Sequence, residues 1–426
     1  MSSARFFYNV AVPAAVFSAH AAAHFLPKMR AAIDGRRGFR ERWDALAREL
    51  AAAPVWFHVA SVGEFEQARP VITALERARP DIPVMVTFSS PSGYHFARKR
   101  ESLERGSLRF IDYLPFDSAA NMRFCLERAR PRLLVFVKFD LWPNLVWEAN
   151  ARRVPMVLID ATLSASSGRL ALPARWIYRD IYRRLDAILA ISEDDARRFR
   201  DAAPSHPSIA ITGDTRFDRV MERWRERATS KFSLPAGGPT LIAGSTWPPD
   251  EERLLPALAK LLREHDSLRA VLVPHEPTPA HIEPLETWAR EARATFTVES
   301  ERKTDDGDAR VVIVDKVGVL AEAYRFADLV YIGGAFTTGV HSVIEPAIAG
   351  VPVVFGPKHD NSFEALQLLA RGAARAVTSA DDVYQALSTW LHDPAARRRA
   401  GEAARLYVES QLGATEKCMA ALPQYL

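Results

Sequence analysis

Apolar residues in this chain gather in short continuous runs separated by longer stretches with helical spacing. In the first half the runs are 55–60, 84–88, 132–137, 155–159, 187–191 and 209–212; in the second they are 241–243, 270–273, 311–314, 329–332 and 351–355. Continuous rather than alternating apolar runs predict strands buried on both faces, as in parallel sheets. A further segment, Phe110–Asp117, brings the first half to about seven strands. Strands alternating with helices in both halves predict an α/β fold of doubly wound sheets. A chain of 426 residues favours two domains over one. The stretch 219–239 is charged and helical, then rich in Ser, Pro and Gly, and marks the boundary. The expected division is 1–30, 31–225 and 226–426, with an exposed loop at 302–309.

The first segment departs from this pattern. Residues 6–26 are mostly apolar and long enough to span a bilayer, which takes roughly 20 residues. Asn9, Pro13, His20 and His24 interrupt the run, and Lys28, Arg30, Arg36, Arg37, Arg40 and Arg42 follow it. Under the positive-inside rule this cluster keeps the rest of the chain on the cytoplasmic side. Three readings stay open: a membrane anchor or interfacial helix, a helix packed on the first domain, and a cleaved signal.

Composition narrows the picture only a little. The chain is 48% hydrophobic and 25% charged, as globular proteins are. Its net charge of +4, mostly from arginine, suits an anionic partner: phosphate, nucleic acid or an acidic membrane surface. Cys125 and Cys418 stand far apart, which leaves no disulfide framework and no CxxC metal signature and favours a reducing compartment.

The most informative stretch is Val330–Ala347. An apolar strand ends in Gly333-Gly334, a loop leads through Gly339 to His341-Ser342, and a helical pattern carrying Glu345 follows. Glycines allow close approach of backbone to a ligand, a helix start offers N–H groups to a phosphate, and a carboxylate accepts from a ribose diol. The alternative is an ordinary βαβ unit whose glycines serve turns. In the first half, Ser61-Val62-Gly63-Glu64 follows the strand 55–60. Glu64 at such a strand-to-helix turn is a candidate for chemistry; its capping-box spacing from Ser61 allows that it only caps its helix. The strand 132–137 runs into Lys138-Phe139-Asp140-Leu141-Trp142-Pro143-Asn144, where alternation places Lys138 and Asp140 on one side. The strand 209–212 runs into Gly213-Asp214-Thr215-Arg216-Phe217-Asp218.

Taken in order, SVGE, KFDLWPN, TGDTRFD, GSTW with its following acidic pair, the VPHEP turn, VDKVG and GGAFTTGVHSVIEPAIAGVPVVFGP resemble the bacterial Kdo transferases, over nearly the whole chain. Those enzymes attach 3-deoxy-D-manno-octulosonic acid (Kdo) to a lipid A precursor. The resemblance implies a GT-B fold, with two Rossmann-like domains facing a central crevice and an N-terminal membrane-associated helix. It implies metal-independent, inverting transfer from CMP-Kdo during lipopolysaccharide core biosynthesis, with no cofactor, on the cytoplasmic side of the inner membrane. The implied partners are the donor, the lipid acceptor and inner-membrane lipids, and no nucleic acid. Glu64 is implied as general base and Arg216 as the basic stabiliser of the transition state, with Lys138 as a third catalytic candidate. Donor contacts are implied at Pro274 and His275, at Val317, Gly318 and Val319, and at Ser342, Val343, Ile344 and Glu345. The chain departs from the enterobacterial pattern at Lys138, where an acidic residue is usual, at Asp140 for Glu, at His275 for Arg and at Ser342 for Asn. The alternatives are a GT-B enzyme using another nucleotide sugar and an inactive lipid-binding relative.

The chemistry suits these residues. CMP is a good leaving group whose charge cationic side chains and helix starts can stabilise without a metal. Kdo passes through an oxocarbenium-like state. The attacking hydroxyl must lose its proton to a base, an effect worth typically about 10²–10⁴-fold.

Overall fold

The computed structural model describes residues 3–104, 108–204, 206, 208–226, 232, 234, 237–302 and 309–426. Most of the expected loop at 302–309, and much of the stretch taken as a linker, lie outside them. The chain forms two compact units, Met1–Arg219 with Leu412–Leu426, and Val220–Gln411.

The first unit is built on seven strands: β1 (Val55–Val59), β2 (Val84–Phe88), β3 (Leu108–Tyr113), β4 (Leu133–Val137), β5 (Met156–Ala161), β6 (Ala187–Ala190) and β7 (Ile209–Ile211). They lie in the order β3-β2-β1-β4-β5-β6-β7, every pair parallel. The central strands are buried along their whole length, which is why they read as unbroken apolar runs. One face packs on Trp43, Leu46, Leu126 and Leu145; the other packs on Phe65, Ile72 and Leu75, with Cys418 and Leu422 from the C-terminal segment.

The second unit carries β8 (Thr240–Thr246), β9 (Arg269–Pro274), β10 (Phe296–Val298), β11 (Val311–Ile313), β12 (Leu329–Ile332), β13 (Val353–Phe355) and β14 (Ala374–Ala376), in the order β10-β11-β9-β8-β12-β13-β14, again all parallel. Two seven-stranded parallel sheets wound by helices are the expected GT-B architecture. The edge strands β10 and β14 escaped the sequence reading because each has three residues, only partly buried.

In both sheets the chain reverses its direction of travel at one point, between β1 and β4 and between β8 and β12. Ligands of doubly wound sheets bind outside the carboxyl ends of strands at such points. At or just beyond the carboxyl ends of these four strands stand Glu64, Lys138–Asp140, Ser245–Trp247 and Gly333–Gly334.

The N-terminal run forms a helix, Ser3–Ala22. Among the described residues no helix is long and apolar enough to cross a membrane. Polar bonds tie one face of this helix to the first unit: Arg5 pairs with Glu148, the Tyr8 hydroxyl donates to Asp117 at 2.9 Å, and Asn9 accepts from Asn144 at 3.0 Å. Phe6, Phe7, Val10 and Phe17 remain exposed, Phe17 at 76%.

The C-terminal segment is latched to the first unit by Asp218. Its carboxylate accepts from the N–H groups of Gly413 (2.8 Å) and Thr415 (2.6 Å), at the start of the helix Ala414–Ala421.

Candidate functional site

In the first unit Glu64 lies in the opening turn of the helix Val62–Ala78, only 5% exposed. The Ser61 hydroxyl caps the helix by accepting from the Glu64 N–H at 3.4 Å, and the Glu64 carboxylate reaches back to the Ala60 N–H. Ser61 is thus a real N-cap, but the carboxylate bonds the N–H of Ala60 rather than that of Ser61, so the reciprocal half of a capping box is not made. The Glu64 carboxylate is also buried among charges. Burial raises the Glu64 carboxyl above its ordinary value; the Ala60 hydrogen bond opposes this, Asp140 adds to it, and His58 and Lys138 oppose it.

Lys138 and Asp140 do not share a strand face. β4 stops at Val137, and Lys138 takes a left-handed conformation with φ 63°, so strand alternation no longer applies. The Lys138 ammonium lies over the Phe139 ring, 5.3 Å from its centroid. Asp140 turns inward, where its Oδ2 accepts from His58 Nε2 (3.0 Å), Ser89 Oγ (2.9 Å) and Trp142 Nε1 (3.2 Å). Burial works against the charged form of Asp140, but these bonds outweigh it and hold the carboxyl below its usual range.

Arg216 opens the helix Thr215–Glu226 and is 40% exposed. Its Nε and Nη2 fork onto Asp214 Oδ2 at 2.8 and 2.6 Å. Asp160 is fully buried, accepts from the Thr215 N–H at 2.8 Å, and has its Oδ2 2.7 Å from the Thr215 hydroxyl oxygen. Burial and the neighbouring Asp214 carboxylate push Asp160 up to about 8. Gln67, one turn along from Glu64, donates to Asp214 at 3.4 Å and accepts from the Thr215 hydroxyl at 2.6 Å through its carbonyl. Glu64 and Arg216 therefore rest on supports joined by one hydrogen-bond network.

Among the described residues, six other than glycine have positive φ. Arg130, Arg153 and Arg293 follow helix ends, a common place for it. Lys138, Asp160 and Ser245 stand at the carboxyl ends of β4, β5 and β8. Strain held at strand ends next to candidate residues is where functional sites keep it.

In the second unit, a hollow of about 200 Å³ is lined by Arg223, Ser245, Gly318, Leu320, Ala321, Tyr324, Ser342 and Glu345. It brings together Gly318, Ser342 and Glu345 of the expected donor residues. Glu345 accepts from the Ser342 hydroxyl. The helix bearing it is short, Ile344–Ile348, and begins two residues after Ser342, because Pro346 and Gly350 leave little room for a longer one. Val343 and Ile344 are buried, and their side chains pack inward. Val319 is likewise buried while Val317 is 82% exposed, so within that turn Gly318 is the residue that lines the hollow. Pro274 ends β9, and His275 is exposed beyond it. The His275 ring stacks on His341 (4.4 Å, 9° between planes) and tilts against Trp247 (4.7 Å). Trp247 Nε1 donates to His341 Nε2 at 3.2 Å, and burial, then His275, lowers His341.

The glycines serve close approach. A Cβ on Gly333 would lie 2.3 Å from the Ser245 carbonyl oxygen and 2.6 Å from Thr246 Cα, so β12 and the β8 turn touch there through backbone. The Gly334 N–H, at φ 91°, donates to Asp250 at 2.8 Å. Among the described residues no group of three or more His, Cys, Asp or Glu side chains is placed to hold a metal ion.

The sequence reading missed Arg223, Tyr324 and His58. Arg223 sits in the charged stretch taken as linker. Tyr324 lies in a region with no strong period. His58 is one polar position inside an apolar run, and that interruption was the available signal.

Comparison with known proteins agrees with this layout. A family model described as 3-Deoxy-D-manno-octulosonic-acid transferase (kdotransferase) matches residues 34–219. The 3-deoxy-D-manno-octulosonic acid transferase of Bordetella pertussis is 29% identical over 394 residues, covering 90% of each chain. The enzyme of the same name from Haemophilus influenzae is 24% identical over 398 residues, covering 92% of each. A UDP-GlcNAc 2-epimerase from Neisseria meningitidis, solved bound to UDP-GlcNAc, superposes with a TM-score of 0.64 at 13% identity, over 87% of this chain and all of its own; that likeness is one of fold alone. Similarity to 3-deoxy-D-manno-octulosonic acid transferases thus extends over nine-tenths of the chain, and both sheets of the expected fold are in place.

Proposed function

We propose that the protein transfers Kdo from CMP-Kdo to a lipid A precursor, by inversion and without a metal, in lipopolysaccharide biosynthesis. The observation that carries this, beyond that similarity, is the hollow in which Ser342, Glu345 and Gly318 meet. It offers a carboxylate for the ribose diol, with backbone N–H donors for the phosphate. Arg223 adds positive charge on its rim. The three-ring stack of Trp247, His275 and His341 is a flat aromatic surface of the kind that suits a nucleotide base.

Glu64 is the base that takes the acceptor proton. Its raised pKa brings it nearer neutral pH, where a general base is most effective. Arg216, held by Asp214, and Lys138 stabilise the negative charge that develops on CMP. The acceptor is a membrane lipid, and the protein works on the cytoplasmic side of the inner membrane. The exposed Phe6, Phe7, Val10 and Phe17, with the arginines that follow, support contact of the N-terminal helix with the lipid surface. The test is release of CMP from CMP-Kdo with a defined lipid A precursor, with mass spectrometry of the product. Thermal stabilisation by UDP in place of CMP, with no Kdo transfer, would overturn the reading.

A further inference from the structure

Behind Glu64 runs a buried chain of polar side chains that the proposed mechanism does not use. His58, near the end of β1, has no exposed surface. Its Nδ1 is 2.9 Å from Thr87 Oγ1 on β2, and its Nε2 is 3.0 Å from Asp140 Oδ2. Thr87 Oγ1 also lies 2.8 Å from Trp56 Nε1. The threonine hydroxyl accepts from the indole and can either give to Nδ1 or accept from it, whereas an ionised carboxylate only accepts, so His58 carries a proton on Nε2, aimed at Asp140. Ser89 and Trp142 donate to the same carboxylate oxygen.

Packing alone does not ask for this arrangement. Buried polar groups cost stability unless every one finds its partner, and an apolar residue between β2 and β4 would carry no such cost. What the chain achieves is a carboxylate fixed in place on the turn after β4. β4 pairs directly with β1, whose own following turn carries Glu64. The charged groups facing this cluster are Glu64, Lys138, Asp140 and, before the helix Ala119–Ala129, Asp117.

Resting on the reading of Glu64 as the base, we propose that His58 is a positioning residue for the proton transfer: through its Nε2–H it pins the Asp140 carboxylate where its charge acts on Glu64. Without the His58 donor, Asp140 takes up a proton more readily or swings away. Glu64 then loses a like-charged neighbour and becomes a weaker base.

The experiment is the pH profile of kcat/KM, read as CMP release by the full-length protein with CMP-Kdo and a lipid A precursor. Four proteins are compared: the parent, His58→Leu, His58→Gln and Asp140→Asn. The acid limb should move to lower pH by about half a unit or more in His58→Leu and Asp140→Asn, given what a like charge nearby does to a carboxyl. It should stay in place in His58→Gln, whose amide N–H replaces the Nε2 donor. Nitrogen-15 NMR of labelled histidine should find His58 protonated at Nε2. A uniform loss of rate with an unmoved limb in both His58→Leu and Asp140→Asn, or a proton on Nδ1 alone, overturns the proposal. Should His58→Leu not fold, Asp140→Asn and His58→Gln decide the matter. The reading beneath it fails differently: Glu64→Gln would then turn over as fast as the parent.

Discussion

Glu345→Ala isolates the donor hollow. In the structure the Glu345 carboxylate already accepts one hydrogen bond, from Ser342, and no other hydrogen-bond partner is found for it among the described residues. A bound ribose diol would supply two hydroxyl donors and displace the serine, a net gain of one bond to a charged acceptor. Such a bond contributes about 1.5–3 kcal/mol. Glu345→Ala should therefore raise the Kd for CMP roughly 10- to 150-fold. Stability should change little, because Glu345 is half-exposed and its one polar partner is the exposed Ser342. Glu345→Asp should recover little of the affinity, its carboxylate being one methylene short of the diol. Ser342→Ala should weaken CMP far less than Glu345→Ala, since the serine bond is given up on binding. Calorimetric titration of CMP into the parent and the three variants, with thermal melts alongside, measures all of this. The argument is refuted if the Kd of Glu345→Ala stays within twofold of the parent. It is equally refuted if the variant melts several degrees lower while its affinity per folded molecule is unchanged, which would make Glu345 structural.

Glu64→Gln should fold normally and lose about 100-fold or more in turnover; in the parent, kcat/KM should fall on acidification at a pH above that of an ordinary glutamate, because burial raises this carboxyl. Asp160 has a folded-state pKa of about 8, above its unfolded value, so its contribution to stability is complete below about pH 4 and is lost as pH rises through 8. Denaturant melts across that window should accordingly show a flatter slope in Asp160→Asn than in the parent. Gly333→Ala would drive a Cβ to 2.3 Å from the Ser245 carbonyl oxygen, against backbone that cannot step aside; a loss of about 1–3 kcal/mol in denaturant unfolding is expected, as for overpacked cores, and an unchanged midpoint would mean the two turns separate freely.

The sequence by itself determined the fold class and most of the strands. β1, β2, β4, β5 and β12 are buried on both faces, so each had to be a continuous apolar run, and such a run is visible without coordinates. It also located Glu64, Gly333-Gly334 and Glu345, because strand-to-helix turns are punctuated by glycine and capping residues. Other features depend on contacts between residues far apart in the chain. Three-residue edge strands such as β10 and β14 have too little apolar pattern to stand out, and neighbours make them strands. That Leu412–Leu426 packs with the first unit follows from Asp218, about two hundred residues earlier, capping the helix at Ala414. The left-handed turn at Lys138 sends Asp140 onto His58 in place of the shared face that strand alternation predicts. Arg223 and Glu345 line one hollow although more than a hundred residues separate them in the chain. Periodicity reports which faces are buried; which polar side chains meet at strand ends is set by register and turn geometry, and only the tertiary structure decides that.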